Sequence, residues 1–195
     1  MIVVAILGGL LLSGSAAGAR LPEIHPLERR AFRLVNGSPD WLYLPLWLPM
    51  QLGNLVAGTA AGLGIAAWYR NWLMAVGVVV AAGLKLVAER VVRGRTADSL
   101  AVRQRPGTSQ PGAILRGADM PSSGPSFPSG HVILVSGVAC VVLDSIPDEV
   151  VWLPFTLTAL VTVARVYVGA HNPLDVTAGL GTGLLVGGIL AQWVV

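Results

Sequence analysis

Residues 131–194 contain HVILVSGVACVVLDSI (131–146), VVWLPFTLTALVTVARVYV (150–168) and LDVTAGLGTGLLVGGILAQWV (174–194). Two short polar links separate these runs, Pro147-Asp148-Glu149 and Gly169-Ala170-His171-Asn172-Pro173. Each run approaches the ~20 apolar residues that carry a helix across a bilayer. Toward the N-terminus, further apolar runs cover Trp72 to about Val92, Leu46 to Trp68 and Ile2 to Ala19. The fold expected is all-α: one integral-membrane domain over residues 1–195, built as a bundle of six transmembrane helices.

Composition supports this. Of 195 residues, 54% are hydrophobic and 12% charged, against about 25% charged in a soluble domain. A soluble globular protein is thereby excluded, as is a disordered chain, which needs low hydrophobicity and high charge. One cysteine, Cys140, rules out an intrachain disulfide framework. The partner implied is the membrane, with no nucleic acid; nothing in the pattern sets an oligomeric state.

Glycines recur four apart at Gly58 and Gly62, and at Gly179, Gly183 and Gly187. That spacing lets membrane helices approach closely. Between the first two runs, Leu27 to Val35 interleaves apolar residues with Glu28, Arg29, Arg30 and Arg33, which suits an amphipathic helix lying in the interface. The first run ends in small residues, Ser13 to Ala19, as a signal peptide does, but no Lys or Arg precedes it, so a retained helix is expected. With six alternating spans, only Arg70 among one Lys and twelve Arg falls on the face opposite the long polar loop. The positive-inside rule then places that loop, 93–130, in the cytoplasm of a multi-pass plasma-membrane protein.

Ionisable groups at the ends of membrane helices mark function. Alternation brings His131, Arg165, His171 and Asp175 to one membrane face. Asn172-Pro173 reads as a helix start, which puts Asp175 in the first turn, able to reach the His171 ring. A carboxylate accepting one ring N–H fixes the tautomer and leaves the other nitrogen nucleophilic; a helix-capping network is the alternative. Pro128-Ser129-Gly130-His131 precedes the fourth run. Free N–H groups at a helix start suit phosphate, Ser129 adds a hydroxyl, and His131 is placed to protonate a leaving oxygen. Arg105 and Arg165 supply guanidinium forks for phosphate oxygens. Two imidazoles and one carboxylate among arginines make a poor metal site, so neither metal nor cofactor is expected.

These residues resemble the type 2 phosphatidic acid phosphatase (PAP2) superfamily, whose motifs are Lys-x6-Arg-Pro, Pro-Ser-Gly-His and Ser-Arg-x5-His-x3-Asp. The second stands intact at Pro128 to His131. The third runs from Ala164 through Arg165 and His171 to Asp175, with alanine in place of its serine. The first keeps Arg105-Pro106, but Asp98 occupies the lysine position. Lys85, twenty residues before Arg105, is the displaced equivalent if the chain folds back through residues 93–99; a straight helix would leave the two about 30 Å apart. Arg103 is a further candidate for phosphate. The resemblance covers roughly residues 50 to 190.

It implies a metal-independent phosphatase acting on a lipid phosphate in the bilayer. His171 would attack phosphorus to form a phosphohistidine, oriented by Asp175. His131 would serve as acid and then base. Lys85, Arg105, Ser129, Gly130 and Arg165 would hold the phosphate. The substrate expected is a polyprenyl phosphate or diphosphate of cell-envelope synthesis in a bacterium. The alternatives are phosphatidate or phosphatidylglycerophosphate as substrate, or phosphotransfer to another acceptor from the same site.

Overall fold

A computed structural model describes residues 1–20, 23–93, 103–117 and 120–194. Among these, the helices are α1 (Ile2–Ala19), α2 (Pro26–Asn36), α3 (Tyr43–Met50), α4 (Leu55–Trp68), α5 (Trp72–Arg93), α6 (Pro106–Ser109), α7 (Gly130–Val142), α8 (Leu153–Tyr167) and α9 (Pro173–Leu190). Short 3-10 turns link several of them, and a single β-bridge pairs Gln104 with Pro125.

α7 is the central helix. It is buried along nearly its whole length, with α4, α5, α8 and α9 packed around it. α1 lies along α9 and turns Ile2, Val3, Ile6, Leu7 and Leu10 outward. So many exposed apolar side chains on one helix would be a liability in water but match hydrocarbon.

The glycine spacing in α9 is a packing device. A Cβ at Gly179 would lie 2.6 Å from the Ser129 carbonyl oxygen, and one at Gly187 2.7 Å from that of Gly137. At Gly183 it would overlap Ser136 Oγ and lie 2.6 Å from the Ile133 oxygen. Backbone touches backbone here, and nothing soft can yield. Gly183→Ala is therefore expected to force α7 and α9 apart and destabilise the fold by about 1–3 kcal/mol or more. Thermal unfolding in detergent measures this; an unchanged midpoint would contradict the close packing.

Four helical stretches are long and apolar enough to cross a membrane: Ile2–Ala19, Trp72–Val91, Asp148–Tyr167 and Pro173–Trp193. The run expected as one helix from Leu46 to Trp68 is instead two, Asp40–Gly53 and Leu55–Trp68, bent by 70°. Pro49 sits near the end of α3. Asn54 then takes an extended conformation and caps α4, accepting from the Val56 N–H at 2.9 Å. The fourth run, Gly130–Ser145, is apolar but short. At 1.5 Å per residue its 16 residues reach about 24 Å, less than the ~30 Å hydrocarbon core. Its burial within the bundle relieves it of matching the bilayer. Among the described residues, the six runs thus correspond to four stretches long and apolar enough to cross, one bent helix pair and one short central helix.

α2 is the expected interfacial helix, and both its faces carry meaning. Leu27, Ala31 and Leu34 face outward, whereas Glu28, Phe32 and Asn36 are buried. His25 caps it, accepting from the Leu27 N–H at 3.3 Å.

Candidate active site

The C-terminal ends of α5 and α8, the start of α7 and the link before α9 meet around a cavity of about 430 Å³. Glu89, Arg105, Gly130, His131, Arg165 and His171 border it. The convergence expected from alternating helices is therefore present.

His171 is buried, with ring Nδ1 2.9 Å from the Ser126 carbonyl oxygen. A carbonyl only accepts, so Nδ1 carries the proton and Nε2 keeps its lone pair. This differs from the sequence expectation. Asp175 Oδ2 stands 3.9 Å from Nδ1, too far for a hydrogen bond. The carboxylate is used elsewhere: Oδ2 accepts from the Asn172 N–H at 2.8 Å and Oδ1 from Arg103 Nε at 2.7 Å. The tautomer of His171 is set by a backbone group, and Asp175 secures the turn that carries the ring.

Burial, then the guanidiniums of Arg165 and Arg105, and His131, hold the conjugate acid of His171 well below the usual imidazole range, against the opposing pull of the Ser126 carbonyl. A depressed value keeps the nucleophilic, neutral form present until the pH falls through it. The His171 ring is thus expected to be neutral at neutral pH and to stay neutral where an ordinary imidazole, at ~6.5, is half protonated. Nitrogen-15 histidine NMR in detergent reads this directly, and a ring protonated at neutral pH would contradict it.

Arg103 is not a cavity residue. Its Nε binds Asp175 and its Nη2 binds Glu28 Oε1, all three side chains being buried. Burial would lower the guanidinium's pKa, but Asp175 and Glu28 outweigh it and the net direction is upward. Glu28 Oε1 also accepts from the Leu174 N–H at 2.9 Å. One buried chain, Glu28–Arg103–Asp175, therefore ties the interfacial helix α2 to the start of α9. Arg103→Met would strand two buried carboxylates and is expected to cost about 3–5 kcal/mol. Chemical unfolding in detergent tests this, and a loss under 1 kcal/mol would show the pairing to be dispensable.

Arg105 donates from Nη1 to the Ala170 carbonyl at 2.9 Å, which fixes it beside His171. Arg165 is buried and has no ion pair among the described residues. Its Nη1 meets only Met50 Sδ at 3.6 Å and Met120 Sδ at 4.0 Å, and its Nε is unpartnered. Ser129, the residue preceding α7, is fully buried with an unpartnered hydroxyl. Buried donors without acceptors are costly, and here they gather at a helix start, where an anion would satisfy them. Lys85 gives its ammonium to Glu89 at 2.7 Å, and Glu89, not Lys85, borders the cavity. The fold-back expected over residues 94–99 lies outside the described residues.

Several positioning residues had no distinctive sequence signal. Gly53, at the bend between α3 and α4, lies against the His131 ring; a Cβ there would come 2.7 Å from His131 Cβ. Arg116 donates to Asp40 and to the carbonyls of Asn36, Ser38 and Tyr167, and stacks 4.2 Å from the Tyr167 ring centre. Asn172 is held by Gln110 Nε2 at 2.8 Å and donates to the Gln104 carbonyl at 3.1 Å. These bonds clamp the polar loop onto α2, α8 and α9. Among the described residues, no three His, Cys, Asp or Glu side chains group as a metal site.

A family model described as the PAP2 superfamily matches residues 66–195. The decaprenylphosphoryl-5-phosphoribose phosphatase of Mycobacterium tuberculosis (strain H37Rv) is 30% identical over 142 residues, 71% of this chain and 70% of that one. The undecaprenyl-diphosphatase of Sulfolobus acidocaldarius is 46% identical over 54 residues, 28% of this chain and 26% of that one. The crystal structure of Aquifex aeolicus LpxE superposes with a TM-score of 0.73 at 22% identity, over 87% of this chain and 98% of that one. That of a PAP2-type phosphatidylglycerolphosphate phosphatase from Bacillus subtilis gives 0.71 at 18% identity, over 97% and 94%.

Proposed function

Because the chain belongs to the PAP2 superfamily, we propose that this multi-pass membrane protein hydrolyses a polyprenyl-linked phosphate of cell-envelope synthesis through a phosphohistidine. The observation that carries this is one cavity bordered by His171, His131, Arg105 and Arg165. It opens beside the buried Ser129 hydroxyl at the start of α7. His171 Nε2 attacks phosphorus and forms an N–P bond as the P–O bond to the leaving group breaks. His131 gives its proton to the leaving oxygen. It then takes a proton from water, whose oxygen attacks phosphorus; inorganic phosphate leaves and His171 is restored. Arg105, Arg165, Ser129 and the Gly130 N–H hold the three phosphoryl oxygens and stabilise their charge in the transition state. Lys85 adds positive charge from behind Glu89. Asp175 holds the His171 turn through Asn172.

The named relatives support a polyprenyl carrier, since one acts on decaprenylphosphoryl-5-phosphoribose and another on undecaprenyl diphosphate. The arginines of α2 support a cytoplasmic site, because that helix packs beside the site against α8 and α9. Cysteine introduced at Arg29, labelled in intact and in opened cells, tests the side. Labelling in intact cells by an impermeant reagent would reverse the orientation.

The function is tested by phosphate release in detergent with a chelator present. The panel is a polyprenyl diphosphate, a polyprenyl-linked sugar phosphate, phosphatidate and phosphatidylglycerophosphate. Turnover of a polyprenyl substrate is expected. Turnover of phosphatidate or phosphatidylglycerophosphate alone would replace the polyprenyl reading, and no turnover of any by folded protein would overturn the phosphatase reading.

A further inference from the structure

α2 is three-sided. At about 100° per residue, its side chains sort into a buried, an apolar and a basic face. Glu28, Phe32 and Asn36 form the buried face. Leu27, Ala31 and Leu34 form the apolar face, with Leu27 and Leu34 each 70% exposed. Arg29, Arg30 and Arg33 form the basic face. Arg30 and Arg33 are exposed, Arg29 is half-buried, and none of the three has an ion pair among the described residues.

Each residue of the buried face grips an element of the active site. Glu28 Oε1 accepts from the Leu174 N–H at 2.9 Å and from Arg103, which in turn holds Asp175. Phe32 packs with Val132, Val166 and Val176. These three residues directly follow His131, Arg165 and Asp175 in the chain. Asn36 donates to the Tyr167 carbonyl at 2.8 Å, just beyond Arg165. Close-packed interiors transmit strain, so a shift of α2 is felt at His131, at Arg165 and at the His171 turn together.

The two outer faces fit one surface. Apolar side chains at a headgroup boundary enter the acyl region, and guanidiniums beside them meet anionic headgroups. Shortly past the helix, Trp41 is 72% exposed, an indole suited to the same boundary. A neutral bilayer would cover Leu27 and Leu34 but leave three guanidiniums without counter-charge. A soluble polyanion would do the reverse. An anionic bilayer satisfies both faces.

We infer that α2 docks on the anionic surface of the surrounding bilayer, and that this docking holds the catalytic groups in register, so that anionic lipid activates the protein. The arginines are positioning residues: they act through Glu28, Phe32 and Asn36 and touch no substrate. The inference goes beyond the phosphatase reading and depends on it for only one of two readouts.

The full chain is reconstituted in nanodiscs of phosphatidylcholine alone, and of phosphatidylcholine mixed with phosphatidylglycerol. In both, kcat/KM is measured for the lipid phosphate turned over in detergent, together with amide hydrogen exchange across α2. The anionic disc is expected to raise kcat/KM about fivefold or more, the ratio to which one arginine's attraction to an anionic surface corresponds. It is also expected to slow exchange over α2. Salt that screens surface charge should reverse both effects. In a variant carrying Arg29→Gln, Arg30→Gln and Arg33→Gln, both differences between the discs are expected to disappear. Arg30→Gln with Arg33→Gln, at the two exposed positions, keeps the test if the triple variant does not fold. Equal kcat/KM in the two discs overturns the activation. A gain that survives loss of the arginines belongs to the bilayer at large and overturns α2 as the docking surface, as does exchange over α2 that is the same in both discs. If neither disc supports turnover, the phosphatase reading fails, and hydrogen exchange still decides the docking.

Discussion

Replacing His171 by alanine is expected to lower phosphate release about 10⁴-fold or more, since loss of a covalent nucleophile removes the whole two-step path. The geometry supports an effect of this size. Nδ1 is committed to the Ser126 carbonyl, so Nε2 is the nitrogen available for attack. In the proposed mechanism no second imidazole replaces it, because His131 is assigned to the proton. The fold should survive, since the side chain makes one hydrogen bond to a backbone carbonyl and the Asp175–Asn172 turn does not depend on it. Phosphate release and circular dichroism on the same preparation separate chemistry from folding. A folded variant with more than about a tenth of wild-type activity would remove His171 as nucleophile. Trapping an acid-labile phosphoprotein during wild-type turnover, absent in the variant, would identify the intermediate.

The second large effect concerns Arg165. Arg165→Lys keeps a positive charge but loses the planar fork that grips two phosphoryl oxygens. A loss of about 10²–10³ in kcat is expected, as for removal of a preorganised donor at developing charge. The structure points to this residue because its guanidinium is buried beside the cavity, with two sulfur atoms as its only hydrogen-bond partners among the described residues. Sulfur is a weak acceptor, so these contacts position the group without satisfying it. Steady-state kinetics divides the outcomes. A fall in kcat with little change in KM indicates a contact made in the transition state. A change confined to KM would show that Arg165 only binds substrate, and near-normal kinetics would exclude it from the phosphate site.

The site was legible in part because its chemistry is carried by side-chain type at helix ends. His131, Arg165 and His171 could be placed on one face from alternation alone, and they border one cavity. Asp175 was legible as a helix-start residue but not as the partner of Arg103. That contact joins positions 72 residues apart, and no local pattern encodes it. Arg103, read as a candidate for phosphate, is spent on two buried carboxylates. Lys85 was singled out as the lone lysine, whereas its pairing with Glu89 depends on side-chain rotamers one turn apart on α5.

The sequence by itself determined the membrane class, the apolar runs, the glycine faces and the two histidine motifs. Each depends on composition or on a period of a few residues, which a helix converts directly into a surface. Only the tertiary structure decided where the second span breaks, that Glu28 and Asn36 of α2 turn inward, and that a backbone oxygen of Ser126 sets the tautomer of His171. Backbone carbonyls are the same at every residue, and buried polar pairs form between segments far apart in the chain. Their partners are chosen by the cost of leaving a buried polar group unpaired, a cost that exists only once the helices have packed.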